Sequence, residues 1–274
     1  MLALLKNTFQ NFKDINGSQQ GSSLAYYTVF SLFPMIIIAV SILGIFFGEQ
    51  AVENQIFVQL KHIIGDDASG QVQEIIKAQH VNHNSTLTLL IGFATLAISA
   101  TGFLSQLHNS LSAAWQEKPN PQNGIIQFII AKTKSFALLV FLFAVMFAST
   151  AMNTYLIHSF NSVHINKELL LVAEQLISFI ILGISFFILF KFLHDTKIKW
   201  QHALAGGYFT AFLFLIGKII IALYIGHSHV GTTYGSASFI VIILMWGYYI
   251  SQIILLGASF IATLREKHNS LEKN

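Results

Sequence analysis

Cysteine is absent from the 274 residues, which removes disulfides, thiolate metal sites and any cysteine nucleophile. Charge is scarce: Asp, Glu, Lys and Arg make up 10% of the chain, against about 25% in soluble domains. Proline occurs three times, at Pro34, Pro119 and Pro121, so little in the chain stops a helix. The sequence also lacks Gly-x-Ser-x-Gly, His-Glu-x-x-His and any phosphate-binding glycine loop, which removes the common hydrolase, metalloprotease and nucleotide-driven classes. Residues 1–25 hold Lys6, Asn7, Gln10, Asn11, Lys13 and Asp14, polar residues that break the apolar run a cleavable signal peptide needs.

What the chain has instead is apolar sequence, 54% of its residues, with a mean hydropathy of +0.64. Six stretches stand out, at 26–48, 86–107, 134–158, 169–193, 203–226 and 236–262. Each approaches or exceeds the roughly 20 residues that cross a hydrocarbon core. Lipid offers no partner to an open backbone amide, so such segments must be helices. The expected fold is therefore all-α: one polytopic membrane domain over 1–274 with six transmembrane helices.

Basic residues orient the helices. Lys6 and Lys13 precede the first stretch, Lys118, Lys132 and Lys134 lie around the second connection, and Lys191, Lys197 and Lys199 around the fourth. Arg265, Lys267 and Lys273 follow the last stretch, whereas the alternate connections carry only Lys61, Lys77 and Lys167. That asymmetry places both termini inside. The sequence pI near 9.0 is then an orientation charge facing anionic headgroups, and no nucleic-acid partner is expected. The acids on the inner side, Asp14, Glu117, Asp195, Glu266 and Glu272, are scattered and form no clustered site for cutting RNA.

Outside the spans, Leu2, Leu5, Phe9 and Phe12 share one helical face, so residues 1–25 read as an amphipathic segment on the inner leaflet. In the long first connection, 49–85, Val52, Ile56, Leu60 and Ile63 keep helical spacing. Gly65-Asp66-Asp67 interrupts it and Val72, Ile75 and Ile76 resume it, the pattern of an outer helical hairpin. Residues 265–274 form an inner tail. Lys118-Pro119-Asn120-Pro121 makes a helix-stopping turn.

Lys218 is the exception to the charge pattern, lying fifteen positions into the fifth stretch. A lysine near the bilayer centre costs about 2.5–3.5 kcal/mol on insertion scales. Two readings stand open: an interior counter-charge for a lipid phosphate or carboxylate, and a lysine whose stem snorkels to an interface. Pro34 removes the amide that would bond the Phe30 carbonyl and should kink the first helix, with Thr28 and Ser31 hydroxyls able to bond freed carbonyls. Gly206, Gly207, Gly247 and Gly257 are packing positions, small residues that let helices approach closely. Asn153, Gln252 and Ser259 lie at or near membrane depth, where they either line an internal path for substrate or hydrogen-bond between helices. His80-x-x-His83 and His227-Ser-His229 match no established metal spacing; no metal or cofactor is expected.

Several of these runs resemble one family in order. Ala25-Tyr26-Tyr27-Thr28 through Ser31-Leu32-Phe33-Pro34 resembles the first-helix signature of the BrkB/YihY-like bacterial inner-membrane proteins. Lys199-Trp200, Ala203 to Gly207, Gly217-Lys218, Tyr224, Tyr234-Gly235-Ser236 and Trp246-Gly247-Tyr248-Tyr249 through Leu255-Leu256-Gly257-Ala258 extend the match over about 20–264. The resemblance implies a six-helix inner-membrane protein of a family once labelled ribonuclease BN, with roles leaning towards envelope lipid handling or export. Relatives usually carry a glutamate where this chain has Ser259, so an ion pair to Lys218 is not carried over.

The sequence thus points to a transporter or flippase-like protein for an anionic lipid or amphiphile, with membrane lipids as partners and no enzymatic activity. The competing class is a non-transporting scaffold that holds an envelope protein or a second copy through 49–85. A reporter enzyme fused after Asn274 should be active only in its cytoplasm-dependent form; activity outside would overturn the orientation.

Overall fold

A computed structural model describes residues 2–31, 86–116, 167–193, 198–227 and 238–272, with the isolated residues 54, 57, 58, 69, 70, 73 and 74. Every regular element among the described residues is a helix. In chain order they are α1 (Leu2–Asp14), α2 (17–31), α3 (Thr86–Ala114), α4 (Lys167–Phe192), α5 (Trp200–His227) and α6 (Ser238–Glu272). Three of these contain runs long and apolar enough to cross a membrane: Gln175–Phe192, Trp200–Ile221 and Ile240–His268. They fall on the expected fourth, fifth and sixth spans, and α3 covers the second. The expected third span, most of the first and nearly all of the 49–85 hairpin lie outside the described residues, Pro34 and Asn153 among them.

The N-terminal segment is shorter than its composition suggests. α1 ends at Asp14 because Asn16 adopts a left-handed backbone, φ 53°, a conformation asparagine tolerates at helix C-termini. The Ile15 and Asn16 amides bond back to the Asn11 and Lys13 carbonyls, and α2 begins at 17. Gly17 leaves room here for the Phe12 ring, which a Cβ would push aside. The expected single apolar face of α1 is split in two. Phe12 is buried with Thr8, while Leu5 and Phe9 stay exposed. The cause is Asn11, whose side-chain amide donates to the Ala114 carbonyl at the end of α3 (3.4 Å) and so turns the Thr8–Phe12 side inward.

The chain's contacts gather into two units. Unit 1 takes residues 1–18, 107–216 and 252–274; unit 2 takes 19–106 and 217–251. In unit 1, α5 lies against two neighbours through consecutive glycines. A Cβ on Gly207 would sit 2.7 Å from the Gly183 carbonyl oxygen and the Phe187 nitrogen of α4. One on Gly206 would collide with Ile261 and come within 3.4 Å of the Gly257 carbonyl oxygen of α6. Around these crossings Tyr208 packs on Phe179 (5.4 Å between centroids) and Phe209 stacks on Phe260 (4.5 Å). Phe190, Leu107, Leu111, Leu255 and Ile261 fill the core. The Trp115 indole donates to the Ala258 carbonyl (3.1 Å), a buried bond joining the end of α3 to α6.

In unit 2 the same device recurs with aromatic partners. Tyr27 of α2 covers Gly102 of α3, and Tyr249 of α6 covers Gly217 of α5. Gly247 admits Thr28 and Ala25, the nearest atoms lying 3.4–3.5 Å from where its Cβ would be. Hydroxyls throughout bond within their own helix: Thr28 to Leu24, Thr210 to Gly206, Ser251 to Gly247 and Thr263 to Ser259, each to the carbonyl four residues back. That is how a hydroxyl is satisfied without water. Thr28 and Ser31 therefore serve the Leu24 and Thr28 carbonyls rather than the Phe30 carbonyl opposite Pro34.

Gly207→Val should cost about 1–3 kcal/mol, the usual range for overpacking, because backbone rather than side chain must yield. Thermal denaturation in detergent checks it, with Gly70→Ala, where a Cβ meets nothing within 4 Å, as the neutral comparison.

Candidate functional site

Lys218 stands on α5 in unit 2. Its side chain is exposed, beside Ile219 and Ile220, which are 62% and 59% exposed. That exposure is the arrangement a snorkelling stem requires, the second of the two readings. An exposed stem can lie along the apolar flank of α5 with its ammonium directed towards an interface.

The polar residues expected to line a path behave differently from one another. Gln252 is half-buried and its side-chain amide donates to the Ser18 carbonyl (3.4 Å), tying α6 to the start of α2 within unit 1. Ser259 is fully buried in α6, and its hydroxyl has no hydrogen-bond partner among the described residues. Its surroundings are packed: Thr210 and Phe190 close on Gly257, and Trp115 bonds the adjacent Ala258 carbonyl. Lys218 therefore shares no unit with Gln252 and Ser259. Gly206, Gly207, Gly247 and Gly257 all lie at helix crossings.

A cluster that the sequence reading passed over lies within unit 1. Lys199, immediately before α5, brings its ammonium 2.6 Å from Nε2 of His268 near the end of α6. The His268 ring meets the His202 ring edge-on, 5.5 Å between centroids and 75° between planes. Arg265 completes the group, close enough for its charge to act on His202. The Lys199 carbonyl accepts the His202 and Ala203 amides, so Lys199 caps the first turn of α5. Nearby, the Lys191 ammonium donates to the Ile198 carbonyl across the α4–α5 connection. The signal was present as two matching spacings, Lys-x-x-His at 199/202 and Arg-x-x-His at 265/268. Among the described residues, no three metal-ligating side chains come together.

Long apolar helices joined by glycine crossings, with cations gathered where α5 begins and α6 ends, define a helical membrane protein. The chain belongs to the family described as virulence factor BrkB, whose sequence model matches residues 8–274. It is 23% identical over 271 residues to a UPF0761 membrane protein of Rhodospirillum centenum, covering 97% of this chain and 58% of that protein. It is 28% identical over 242 residues to one from Pseudoalteromonas atlantica, covering 86% and 77%. For the UPF0761 protein of Psychromonas ingrahamii the identity is 26% over 259 residues, covering 92% and 84%. The chain thus spans little more than half the length of the Rhodospirillum relative. No solved structure matches.

Ser259→Ala removes a buried hydroxyl that bonds to nothing, and such a group carries a desolvation cost of about 1–3 kcal/mol. The variant should melt at the same temperature as the parent or higher. A loss above about 1 kcal/mol would show that the hydroxyl has a bonded role.

Proposed function

We propose that this chain is a multi-pass protein of the bacterial inner membrane, with both termini in the cytoplasm, that binds anionic lipids or amphiphiles of the envelope and moves them across the bilayer. Its work is binding and translocation, without a chemical reaction. The observation that carries this reading is Lys218, a cation exposed on α5 among the exposed side chains Ile219, Ile220 and Leu223. A lysine so surrounded meets lipid, and an ammonium beside acyl chains is stabilised by an anionic headgroup drawn to it. The same residue would serve as a waypoint for a headgroup travelling along the outer flank of α5.

Family membership and three helices long and apolar enough to cross a membrane support the membrane setting. The lack of a nucleotide-binding loop makes energy input from a gradient, from a separate ATPase, or from the lipid gradient itself the consistent options.

Reconstituted vesicles test the reading. Lys218→Met should slow movement of a headgroup-labelled anionic phospholipid by about fivefold, the factor that corresponds to about 1 kcal/mol per basic residue at a lipid surface. Movement of a zwitterionic lipid should change little. An unchanged anionic rate would take Lys218 out of the mechanism, and no movement by the parent protein would end the transport reading.

A further inference from the structure

The paired spacings at the start of α5 and the end of α6 build a site that the lipid-flank reading does not use. We propose that Lys199, His202, Arg265 and His268 form a docking site for a phosphate group, either the phosphate of an anionic lipid headgroup or free phosphate. The proposal rests on the lipid reading only in favouring the headgroup as the source.

On α6, Arg265 and His268 are three residues apart, a spacing that puts both on one face; at the start of α5, Lys199 stands at the cap and His202 in the first turn. The two faces meet at the Lys199–His268 contact of 2.6 Å and the His202–His268 ring contact of 5.5 Å. An ammonium has three donors and no acceptor, so the Lys199–His268 contact leaves two of the Lys199 donors for another oxygen. Arg265 adds a planar fork of five donors suited to paired oxygens of a phosphate. Four side chains that can donate, a lysine and an arginine among them, are thereby gathered in one place. Gathering like charges is unfavourable until an anion offsets them.

Three further features favour an oxyanion at a membrane surface. Lys199 and Arg265 are exposed, so a ligand can reach them, and the two histidines are half-buried behind them. The group sits at the first turn of α5, the positive end of that helix. Trp200, next to Lys199, is 60% exposed, in keeping with tryptophan at headgroup level. The nearest acid in sequence, Glu266, follows Arg265 by one residue and so projects about 100° round α6. A tetrahedral phosphate presents oxygens in enough directions to engage both helices, which a planar carboxylate does not.

The test is equilibrium binding to the purified full chain in detergent, which needs no lipid movement and so fails or succeeds apart from the transport reading. One arm uses a short-chain phosphatidic acid and the other inorganic phosphate, with a short-chain phosphatidylcholine, whose phosphate is masked by its own choline cation, as the zwitterionic comparison. The parent protein should bind phosphatidic acid and discriminate against phosphatidylcholine. Lys199→Gln with Arg265→Gln should weaken phosphatidic acid binding by about 25-fold, two charges each contributing about fivefold at a lipid surface. Lys199→Arg with Arg265→Lys should retain most of it, and an unchanged melting temperature in both double variants establishes that they fold. Competition by inorganic phosphate at equal concentration would identify free phosphate as the ligand; competition only at large excess would identify the headgroup. Phosphatidic acid binding that survives in the folded Gln double variant, or is absent from the parent, would overturn the site.

Discussion

The approach of α5 to α4 and α6 through Gly206 and Gly207 is the contact on which the rest of unit 1 depends. Between helices already in an apolar medium, burying more apolar surface gains little, so association has to come from close packing and hydrogen bonds. Two adjacent glycines face in different directions, and each meets a different neighbour: Gly207 the backbone of Gly183 and Phe187, Gly206 the Ile261 and Gly257 region. The flanking pairs Tyr208–Phe179 and Phe209–Phe260 are consequences of that spacing. Their rings close over the gaps that neighbouring small residues leave.

Polar groups are handled by the same economy. Most of the hydroxyls described fold back on their own helices, and bonds that cross between helices come from groups with a reach, among them the Trp115 indole, the Asn11 amide and the Gln252 amide. All three end on backbone carbonyls in unit 1, and two of those carbonyls, at Ser18 and Ala114, lie near helix ends. Only cations resist this treatment. Lys191 finds the Ile198 carbonyl and Lys199 finds His268, both beside the connection from α4 to α5, whereas Lys218 stays on an exposed flank.

How much of this was legible in the sequence depended on what each feature requires. The positions of α4, α5 and α6 were readable because a lipid-crossing backbone must satisfy itself, and long apolar runs are the only way to do so. The glycines were readable as packing positions because a missing side chain has few other uses in such a helix. The rotation of α5 was not readable: Trp200–His227 is apolar around its whole circumference, so hydropathy carries no phase, and the outward aim of Lys218 was hidden. The split face of α1 was hidden for a related reason. Leu5, Phe9 and Phe12 look equivalent by period, and only the Asn11 bond to a residue about a hundred positions away decides which of them turns inward. The Lys199–His268 cluster needed the same long-range pairing, here between residues 69 positions apart.

The contact at Gly207 also bears on what can pass between these helices. Backbones this near each other leave a seam narrower than an acyl chain, and the α5–α6 side of the same glycine pair is plugged by Ile261. Neither seam can part at that level without breaking the packing that holds unit 1 together. On the outer surface of α5, by contrast, Phe212 and Ile216 lie exposed. The glycine pair is a seal as well as a joint: at that level it leaves no room between α5 and the two helices it meets in unit 1.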